Sequence, residues 1–182
     1  MTSRRFQAAR VFDFGYGPVP AHKHPNGGGW VADTAFVSAK AFIGANARVY
    51  GKARVSDYAR VSDYARVYGK ARVYGKAWVS DYARVYGEAR VSDYAWVYGK
   101  ARVYGQAQMC GNAKLFDKAK LYGKARVSDY AQVFGEAEVY GEARIYHNAR
   151  VSFFALVRGS AHVFGKAWVS GTARLADFAT PG

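Results

Sequence analysis

The sequence predicts an all-β single domain in which the chain winds as a triangular solenoid. Three observations point to this fold: an uninterrupted hexapeptide repeat, a tyrosine that returns in every third hexapeptide, and an apolar composition poor in leucine. The chain has 182 residues and is 51% hydrophobic, yet it contains only four leucines. Leucine is a staple of helical cores, so a helical bundle is excluded, whereas 15 tyrosines and 20 glycines favour strands and turns.

The hexapeptide repeat predicts one short strand and one corner in every unit. Residues 29–178 divide into 25 hexapeptides without an insertion or deletion, and ARVYGK and ARVSDY are the two parent units. The first position is alanine in 24 units and the third is always apolar, so these two side chains point inward while the second and fourth point outward. The fifth position turns the chain: glycine permits a positive φ there, and aspartate tolerates it and can bond its own local backbone.

A second period gives the number of sides of the solenoid. A tyrosine followed by glycine occupies the fourth position of every third hexapeptide, in the series Tyr50, Tyr68, Tyr86, Tyr104, Tyr122 and Tyr140. Three hexapeptides are therefore predicted to form one coil, giving about eight coils. At the ~4.8 Å strand spacing, these coils make a prism roughly 40 Å long. Duplication of longer units would leave the same trace, so that alternative stays open.

The repeat resembles that of the hexapeptide-repeat left-handed β-helix superfamily. The pattern of that superfamily is an aliphatic residue, any three residues, a small residue and any residue. Residues 49–53, 55–59 and 61–65 fit it, and the fit continues to the end of the repeat. The wording of the units is also similar to that of YdcK-type bacterial and phage-borne proteins. The resemblance implies a left-handed coil, although parallel crossovers are normally right-handed.

The chain is expected to have three segments. Residues 1–28 break the phase of the repeat and contain glycine- and proline-rich turns, so they are predicted to form an N-terminal cap over the first coil. Residues 29–178 are the β-helix, and residues 179–182 are a C-terminal tail. The start of the chain lacks the apolar core of a signal peptide, and no run of apolar residues is long enough to span a membrane. The sequence therefore predicts a cytoplasmic protein, bacterial or in the host cytoplasm if phage-encoded, without a membrane partner.

The charge of the chain predicts an anionic partner. The formal net charge is +14, which favours nucleic acid, nucleotides or acidic surfaces. Residues 47–130 hold 17 basic and 7 acidic side chains, a net charge of +10, whereas residues 131–178 are nearly neutral. Like charges that stack along a column repel each other, so the central excess favours a bound anion.

The central region carries a candidate binding site made of arginine and tyrosine. Its members lie in two columns with an 18-residue spacing: Arg48, Arg66, Arg84 and Arg102, and, two residues along, Tyr50, Tyr68, Tyr86 and Tyr104. Guanidinium groups bind phosphates with two hydrogen bonds, and tyrosine faces can stack on bases. This pattern predicts a non-enzymatic, trimeric protein that holds or sequesters a nucleotide-like molecule, or binds nucleic acid. The alternative is that the columns only stabilise the solenoid and were multiplied by duplication.

Aromatic residues on another face predict an oligomer interface. Tryptophan is enriched in the energetic centres of interfaces. The candidate residues occupy the second position of their units and are Phe42, Trp78, Trp96 and Trp168. The alternative is a ladder of aromatic side chains on the surface.

No catalytic residue, metal site or cofactor is predicted. The four histidines (His22, His24, His147 and His162) lack a metal-ligand spacing. Cys110 is the only cysteine, so an internal disulfide is impossible and a reducing compartment is expected. The resemblance nevertheless implies relatives that are trimeric acyltransferases with a catalytic histidine near a subunit interface. An acyltransferase and a purely structural or assembly module therefore remain as alternatives.

Overall fold

The computed structural model describes residues 10–176, which form short β-strands joined by tight corners. No helix in this range is long and apolar enough to cross a membrane. From β3 onward there is one strand for each of the 25 hexapeptides, and most strands cover the second and third positions of their unit. The predicted alternation of strand and corner is thereby confirmed.

The strands follow one another in chain order, one in each hexapeptide once the repeat begins. The first nine are β1 (Val11–Asp13), β2 (Pro18–Lys23), β3 (Trp30–Ala32), β4 (Phe36–Val37), β5 (Phe42–Ile43), β6 (Arg48–Val49), β7 (Arg54–Val55), β8 (Arg60–Val61) and β9 (Arg66–Val67). The next nine are β10 (Arg72–Val73), β11 (Trp78–Val79), β12 (Arg84–Val85), β13 (Arg90–Val91), β14 (Trp96–Val97), β15 (Arg102–Val103), β16 (Gln108–Met109), β17 (Lys114–Leu115) and β18 (Lys120–Leu121). The last nine are β19 (Arg126–Val127), β20 (Gln132–Val133), β21 (Glu138–Val139), β22 (Arg144–Ile145), β23 (Arg150–Val151), β24 (Leu156–Arg158), β25 (His162–Val163), β26 (Trp168–Val169) and β27 (Arg174–Ala176).

Each strand from β3 to β24 pairs in parallel with the strand three hexapeptides further along the chain, as Arg48 does with Arg66. The strands thus form three sheets of 11, 8 and 8 strands. We call their outer surfaces the first face (β3, β6 and onward to β27), the second face (β4 to β25) and the third face (β5 to β26). The predicted all-β solenoid with three hexapeptides per coil and about eight coils is confirmed, whereas the left hand of the coil stays a prediction.

The core is a narrow column of small and β-branched side chains. The first and third positions point inward as predicted, and Ala53 and Val55, for example, are fully buried. Because identical positions stack between coils, each valine packs on a valine or another aliphatic residue of the next coil. The largest fully buried side chains include Met109, Leu115 and Ile145. This lining accounts for the scarcity of leucine in the sequence.

The corners adopt the predicted backbone but differ in their hydrogen bonds. The fifth residue has a positive φ in both parent units, at 68° for Gly51 and 58° for Asp57. The carboxylate of Asp57 does not bond its own local backbone: it accepts the amide N–H of Gly75, one coil further on, at 3.0 Å. Five other corners have the same link, namely Asp63 to Asp81, Asp81 to Gly99, Asp93 to Gly111, Asp117 to Gly135 and Asp129 to His147. The stacking of corners brings the amide of the next coil within reach of each carboxylate.

The N-terminal segment adds a hairpin to one edge of the first coil. Strands β1 and β2 pair antiparallel, and β2 pairs antiparallel with β3, with Ala21 opposite Ala32. Phe14 is buried in a small cluster that also contains Tyr50. Residues 10–28 therefore extend the first sheet beyond the solenoid. The first nine residues of the predicted cap and the predicted tail at 179–182 lie outside the described residues.

Candidate anion-binding site

The first face brings both predicted columns together on a single sheet. The arginines occupy successive strands of this sheet in register. The backbone positions of neighbouring arginines are therefore one coil apart. The tyrosines follow two residues later, at the end of each strand. Both columns lie on the outer side of this sheet, where all members except the buried Tyr50 are partly or fully accessible.

The tyrosines form a continuous stack of parallel rings. Neighbouring ring centroids from Tyr50 to Tyr140 lie 4.8 to 4.9 Å apart, and their planes differ by at most 5°. The ring of Phe14 stacks on the other face of Tyr50 at 4.9 Å. Every ring between the ends of the stack therefore has a neighbour on both faces. These rings have no free face to offer a nucleobase, so only their edges and hydroxyl groups can contact a ligand.

Burial favours the protonated form of several hydroxyl groups in this stack. Burial raises the pKa of Tyr68 to about 12, and burial also raises the pKa of Tyr50 and of Tyr104. A protonated phenol donates one hydrogen bond and accepts others. At Tyr50, Tyr68 and Tyr104, the column thus places neutral hydrogen-bonding groups beside the arginines.

The arginine column has no carboxylate counter-ion within residues 10–176. Among residues 10–176, none of the ion pairs includes Arg48, Arg66, Arg84 or Arg102. The next member of the column differs, because the Nζ of Lys120 lies 2.7 Å from Oε1 of Glu138. The column therefore changes from unpaired to paired charge between the strands β15 and β18.

A basic groove of about 310 Å³ lies at this change of charge. It is lined by Lys100, Arg102, Lys118, Lys120, Glu136 and Glu138. Two of its four cations are already paired, because Lys118 lies 2.8 Å from Glu136 and Lys120 binds Glu138. Within the described part of the chain, Lys100 and Arg102 have no carboxylate partner. The groove thus combines an open cationic end with a neutralised end.

The paired end of the basic groove is held by hydrogen bonds. Glu138 accepts one from Lys120 through Oε1 and a second from the hydroxyl of Tyr122 through Oε2, at 2.9 Å. The hydrogen bond from Lys120 lowers the pKa of Glu138, and the hydrogen bond with Glu136 raises the pKa of Lys118. Both shifts favour the charged form, which is the carboxylate of Glu138 and the ammonium group of Lys118.

The sequence pattern missed a second arginine column. It occupies the second face in the same hexapeptide position and consists of Arg54, Arg72, Arg90, Arg126 and Arg144. None of these side chains takes part in an ion pair within residues 10–176. The 18-residue spacing would have found this column had it been applied to every face. The members of the basic groove at Lys100 and Lys118 were missed for a different reason, because they lie at a corner rather than on a strand.

The second face also contains a trough of about 350 Å³. Its lining includes Cys110, Arg126, Ser128, Arg144 and His162. The trough exists because the fourth position, a tyrosine along most of the first face, is serine or cysteine here. We refer to it below as the second-face trough.

The third face carries all four residues of the predicted interface but joins only three of them. The guanidinium group of Arg60 lies 5.1 Å from the ring of Phe42 and 5.4 Å from that of Trp78. Trp96 packs edge-on against Trp78, with 5.1 Å between centroids. Three further strands separate Trp168 from this cluster. Trp96 and Trp168 are 40% and 61% exposed, so both leave apolar surface in contact with solvent.

The other three histidines, His22, His24 and His147, have different surroundings. The ring of His22 is 2.8 Å from the carboxylate of Asp33, and His24 is buried within its own loop. His147 occupies a corner with a positive φ. Within the described residues, no three side chains of His, Cys, Asp or Glu are grouped so that they could hold a metal ion.

Comparison with known families agrees with the architecture. A family model described as YdcK Beta solenoid repeat matches residues 65–81 and 83–99. These two stretches are successive coils that contain the central part of both predicted columns. The resemblance expected from the sequence is confirmed, and the chain is consistent with a YdcK-type repeat protein. No curated protein and no solved structure matches the chain.

Proposed function

We propose that this chain, a β-solenoid repeat protein with coils that match the YdcK repeat model, is a non-enzymatic binding protein. Its basic groove holds a phosphate-bearing anionic ligand. One observation carries the proposal: Lys100 and Arg102 lie together in a groove without a carboxylate partner, while the neighbouring lysines are paired. An ammonium and a guanidinium group together suit a phosphate, because arginine binds two of its oxygens and lysine adds a point charge. Arg84 and Arg66 continue the column for further anionic groups.

The shape of the site favours a compact ligand. Glu136 and Glu138 neutralise the two lysines at one end of the basic groove, so that end has no free cation for a phosphate chain that continued in that direction. The internal tyrosine rings offer no free face for the stacking of successive bases. Both features support a nucleotide-like molecule with terminal phosphates rather than a long single strand.

The cost of the unpaired column is the argument against a purely structural role. Arginines stacked one coil apart repel each other unless an anion lies between them. In the same column, Lys120 and Glu138 occupy equivalent positions and form an ion pair. The fold therefore also accepts opposite charges on neighbouring coils. A surface under selection for stability alone would be expected to continue this alternation.

The proposal is tested by calorimetric titration with a nucleoside triphosphate at low and at moderate salt. We expect binding that weakens with salt, and a loss of about tenfold or more in affinity when Arg84→Gln and Arg102→Gln are combined, which corresponds to roughly 1.4 kcal/mol. The matched control combines Arg72→Gln and Arg90→Gln, which removes the same charge from the same hexapeptide position of the second face. Absence of binding at low salt, or an equal loss in both double variants, would refute the proposal.

A parallel titration with duplex DNA separates the two kinds of anion. Binding to long DNA with a steep salt dependence, insensitive to Arg102→Gln, would favour nucleic acid and a diffuse electrostatic surface. Binding of the triphosphate with a weaker salt dependence and sensitivity to this substitution would favour the basic groove.

We also propose that three copies associate through the cluster of Phe42, Trp78 and Trp96 on the third face. The exposed indole surface of Trp96 supports a contact that excludes water. Light scattering should give the mass of a trimer for the unmodified protein and of a monomer for the Trp78→Ala, Trp96→Ala variant. Phe154→Ala, at an exposed corner, is the matched control and should leave the mass unchanged. An unchanged mass of the double variant would exclude this face.

The acyltransferase alternative has one observation in its favour, which is that His162 lines the second-face trough. Such an enzyme would transfer the acyl group of an acyl-coenzyme A to a hydroxyl or amino group of an acceptor and release free coenzyme A, and His162→Asn would abolish that release. A purified protein that releases no coenzyme A from acetyl-coenzyme A in the presence of hydroxyl- and amino-bearing acceptors would exclude this alternative.

A further inference from the structure

We propose that the second-face trough is a separate binding site for a phosphate monoester of a polyhydroxylated molecule, such as a sugar phosphate. The site lies on a different sheet from the basic groove and shares no residue with it. It does not depend on the function proposed above, and it would stand if the basic groove bound no ligand.

The trough is created by a change in the fourth position of the repeat. Along the second face this position holds Tyr74, then the small side chains of Ser92, Cys110 and Ser128, and then Tyr146. On the first face the equivalent residues are tyrosines whose rings fill the space between the coils. Two of these small residues, Cys110 and Ser128, line the trough, where their short side chains leave a depression on the surface. Its volume of about 350 Å³ falls within the range of small-molecule sites.

Two unpaired guanidinium groups provide the phosphate end of the site. Arg126 and Arg144 are directly paired in register on neighbouring strands, and both line the trough. Neither takes part in an ion pair within residues 10–176. Two arginines one coil apart can share the three oxygens of a phosphate monoester, whose two negative charges offset their mutual repulsion.

The other groups of the trough suit hydroxyl groups rather than further phosphates. Oδ2 of Asp129 accepts the amide N–H of His147 at 2.8 Å, so this carboxylate is held in place while its second oxygen can accept from a ligand. The hydroxyl of Ser128 and the side-chain amide of Gln108 also line the trough and can both donate and accept. A carboxylate beside neutral polar groups would repel a second phosphate. We therefore infer a ligand with one anionic group and a hydroxylated body.

Cys110 reports on the electrostatics of this space. Burial raises the pKa of its thiol, the carboxylates of Asp93 and Asp129 raise it further, and the guanidinium group of Arg126 opposes them. The guanidinium group of Arg126 and the carboxylates of Asp93 and Asp129 thus all lie close enough to the thiol to change its pKa. Tyr146, whose ring stacks on Phe164 with 5.5 Å between centroids, also lines the trough.

The only cysteine of the chain allows a direct test, because it lines the trough. Cys110 is labelled with uncharged N-ethylmaleimide at one alkaline pH, and the rate is followed by mass spectrometry. Glucose 6-phosphate should slow the labelling by about fivefold or more when it occupies the trough, because only unprotected thiolate reacts. Glucose alone and inorganic phosphate alone, at the same concentration, should slow it by less than about twofold, because each makes only part of the contacts.

Substitutions in both arginine columns locate the effect. Combining Arg126→Gln with Arg144→Gln should abolish the protection, and the fold should tolerate both, since Gln108 and Gln132 occupy the same hexapeptide position. Combining Arg84→Gln with Arg102→Gln should leave the protection intact, which separates this site from the basic groove. Ser128→Tyr, which introduces the tyrosine that the ARVYGK unit carries at this position, should fill the trough and remove calorimetric binding of glucose 6-phosphate.

Three results would overturn the inference. The first is labelling that glucose 6-phosphate does not slow. The second is equal protection by inorganic phosphate, which would show that the hydroxylated body makes no contact. The third is protection that survives in the Arg126→Gln, Arg144→Gln variant, which would place the phosphate elsewhere.

Discussion

At the scale of single residues, the corners show how one hexapeptide depends on the next coil. Aspartate takes the left-handed conformation at φ values between 54° and 59°. Its carboxylate then accepts the corner amide of the following coil, so the side chain satisfies a donor that would otherwise need water. The conformation could be predicted from the residue type. The partner could not, because it depends on the distance between stacked corners and not on the local sequence.

Asp81 provides a test of this double role. Asp81→Ala should lower the free energy of unfolding by about 1–3 kcal/mol, since the amide of Gly99 loses its acceptor and alanine is strained at a φ of 56°. Asp81→Asn is the control, because asparagine keeps a side-chain oxygen and tolerates this conformation; it should cost less than about 1 kcal/mol. Denaturant titration of the unmodified protein, Asp81→Ala and Asp81→Asn measures these differences in stability. Equal midpoints for the two variants would contradict the double role of Asp81.

Glu138 gives a pH dependence with a defined sign. The hydrogen bond from Lys120 lowers its pKa in the folded chain, so its contribution to stability is present above the ordinary glutamate pKa of about 4.3 and is lost as the pH falls through the lowered value. Glu138→Gln should therefore be less stable than the unmodified protein at neutral pH, by about 1 kcal/mol or less. This difference should vanish in strong acid.

Denaturation midpoints of the unmodified protein and Glu138→Gln, measured from neutral pH into strong acid, test the sign of this pH dependence. Glu88→Gln is the matched control, because Glu88 forms a similar pair with Lys70 but is 52% exposed and should show a smaller difference. A stability difference between Glu138→Gln and the unmodified protein that grows as the pH falls would contradict the assignment.

At the scale of elements, the regular columns could be predicted and their chemical state could not. The 18-residue spacing correctly placed the arginines and tyrosines on one sheet. It did not reveal that the tyrosine faces are occupied by each other, because that depends on side-chain rotamers repeated from coil to coil. It also gave no sign that Lys100 stays unpaired while Lys118 meets Glu136, since all three share one spacing and the outcome depends on the order of charges along the column.

The tyrosine stack is expected to act as a stabilising element of the first face. Tyr86 contacts a ring on each side at 4.9 Å, so Tyr86→Ala removes two aromatic pairs and should cost about 2 kcal/mol or more. Tyr86→Phe keeps both pairs and should lie close to the unmodified protein. Denaturant midpoints are the appropriate measure, since repeat arrays do not always unfold in one step. A cost of Tyr86→Ala below about 0.5 kcal/mol would show that the stack has no structural role.

At the scale of the whole molecule, the solenoid separates its chemistry among three faces. The first presents arginines beside neutral phenols, the second presents arginines beside a trough, and the third presents indole rings. Unpaired arginine columns therefore lie on two faces rather than one within residues 10–176. Composition predicted an anionic partner in general, but only the coil geometry distinguishes two places where an anion would meet unpaired cations.

The most direct test of the central claim is to locate the anion. Crystals of the protein soaked with a nucleoside triphosphate that carries sulfur on its terminal phosphate would reveal that phosphate by anomalous diffraction. We predict a peak in the basic groove, with phosphate oxygens about 3 Å from Nζ of Lys100 and from the guanidinium group of Arg102. A peak away from these two residues, or no peak at a saturating concentration, would contradict the claim.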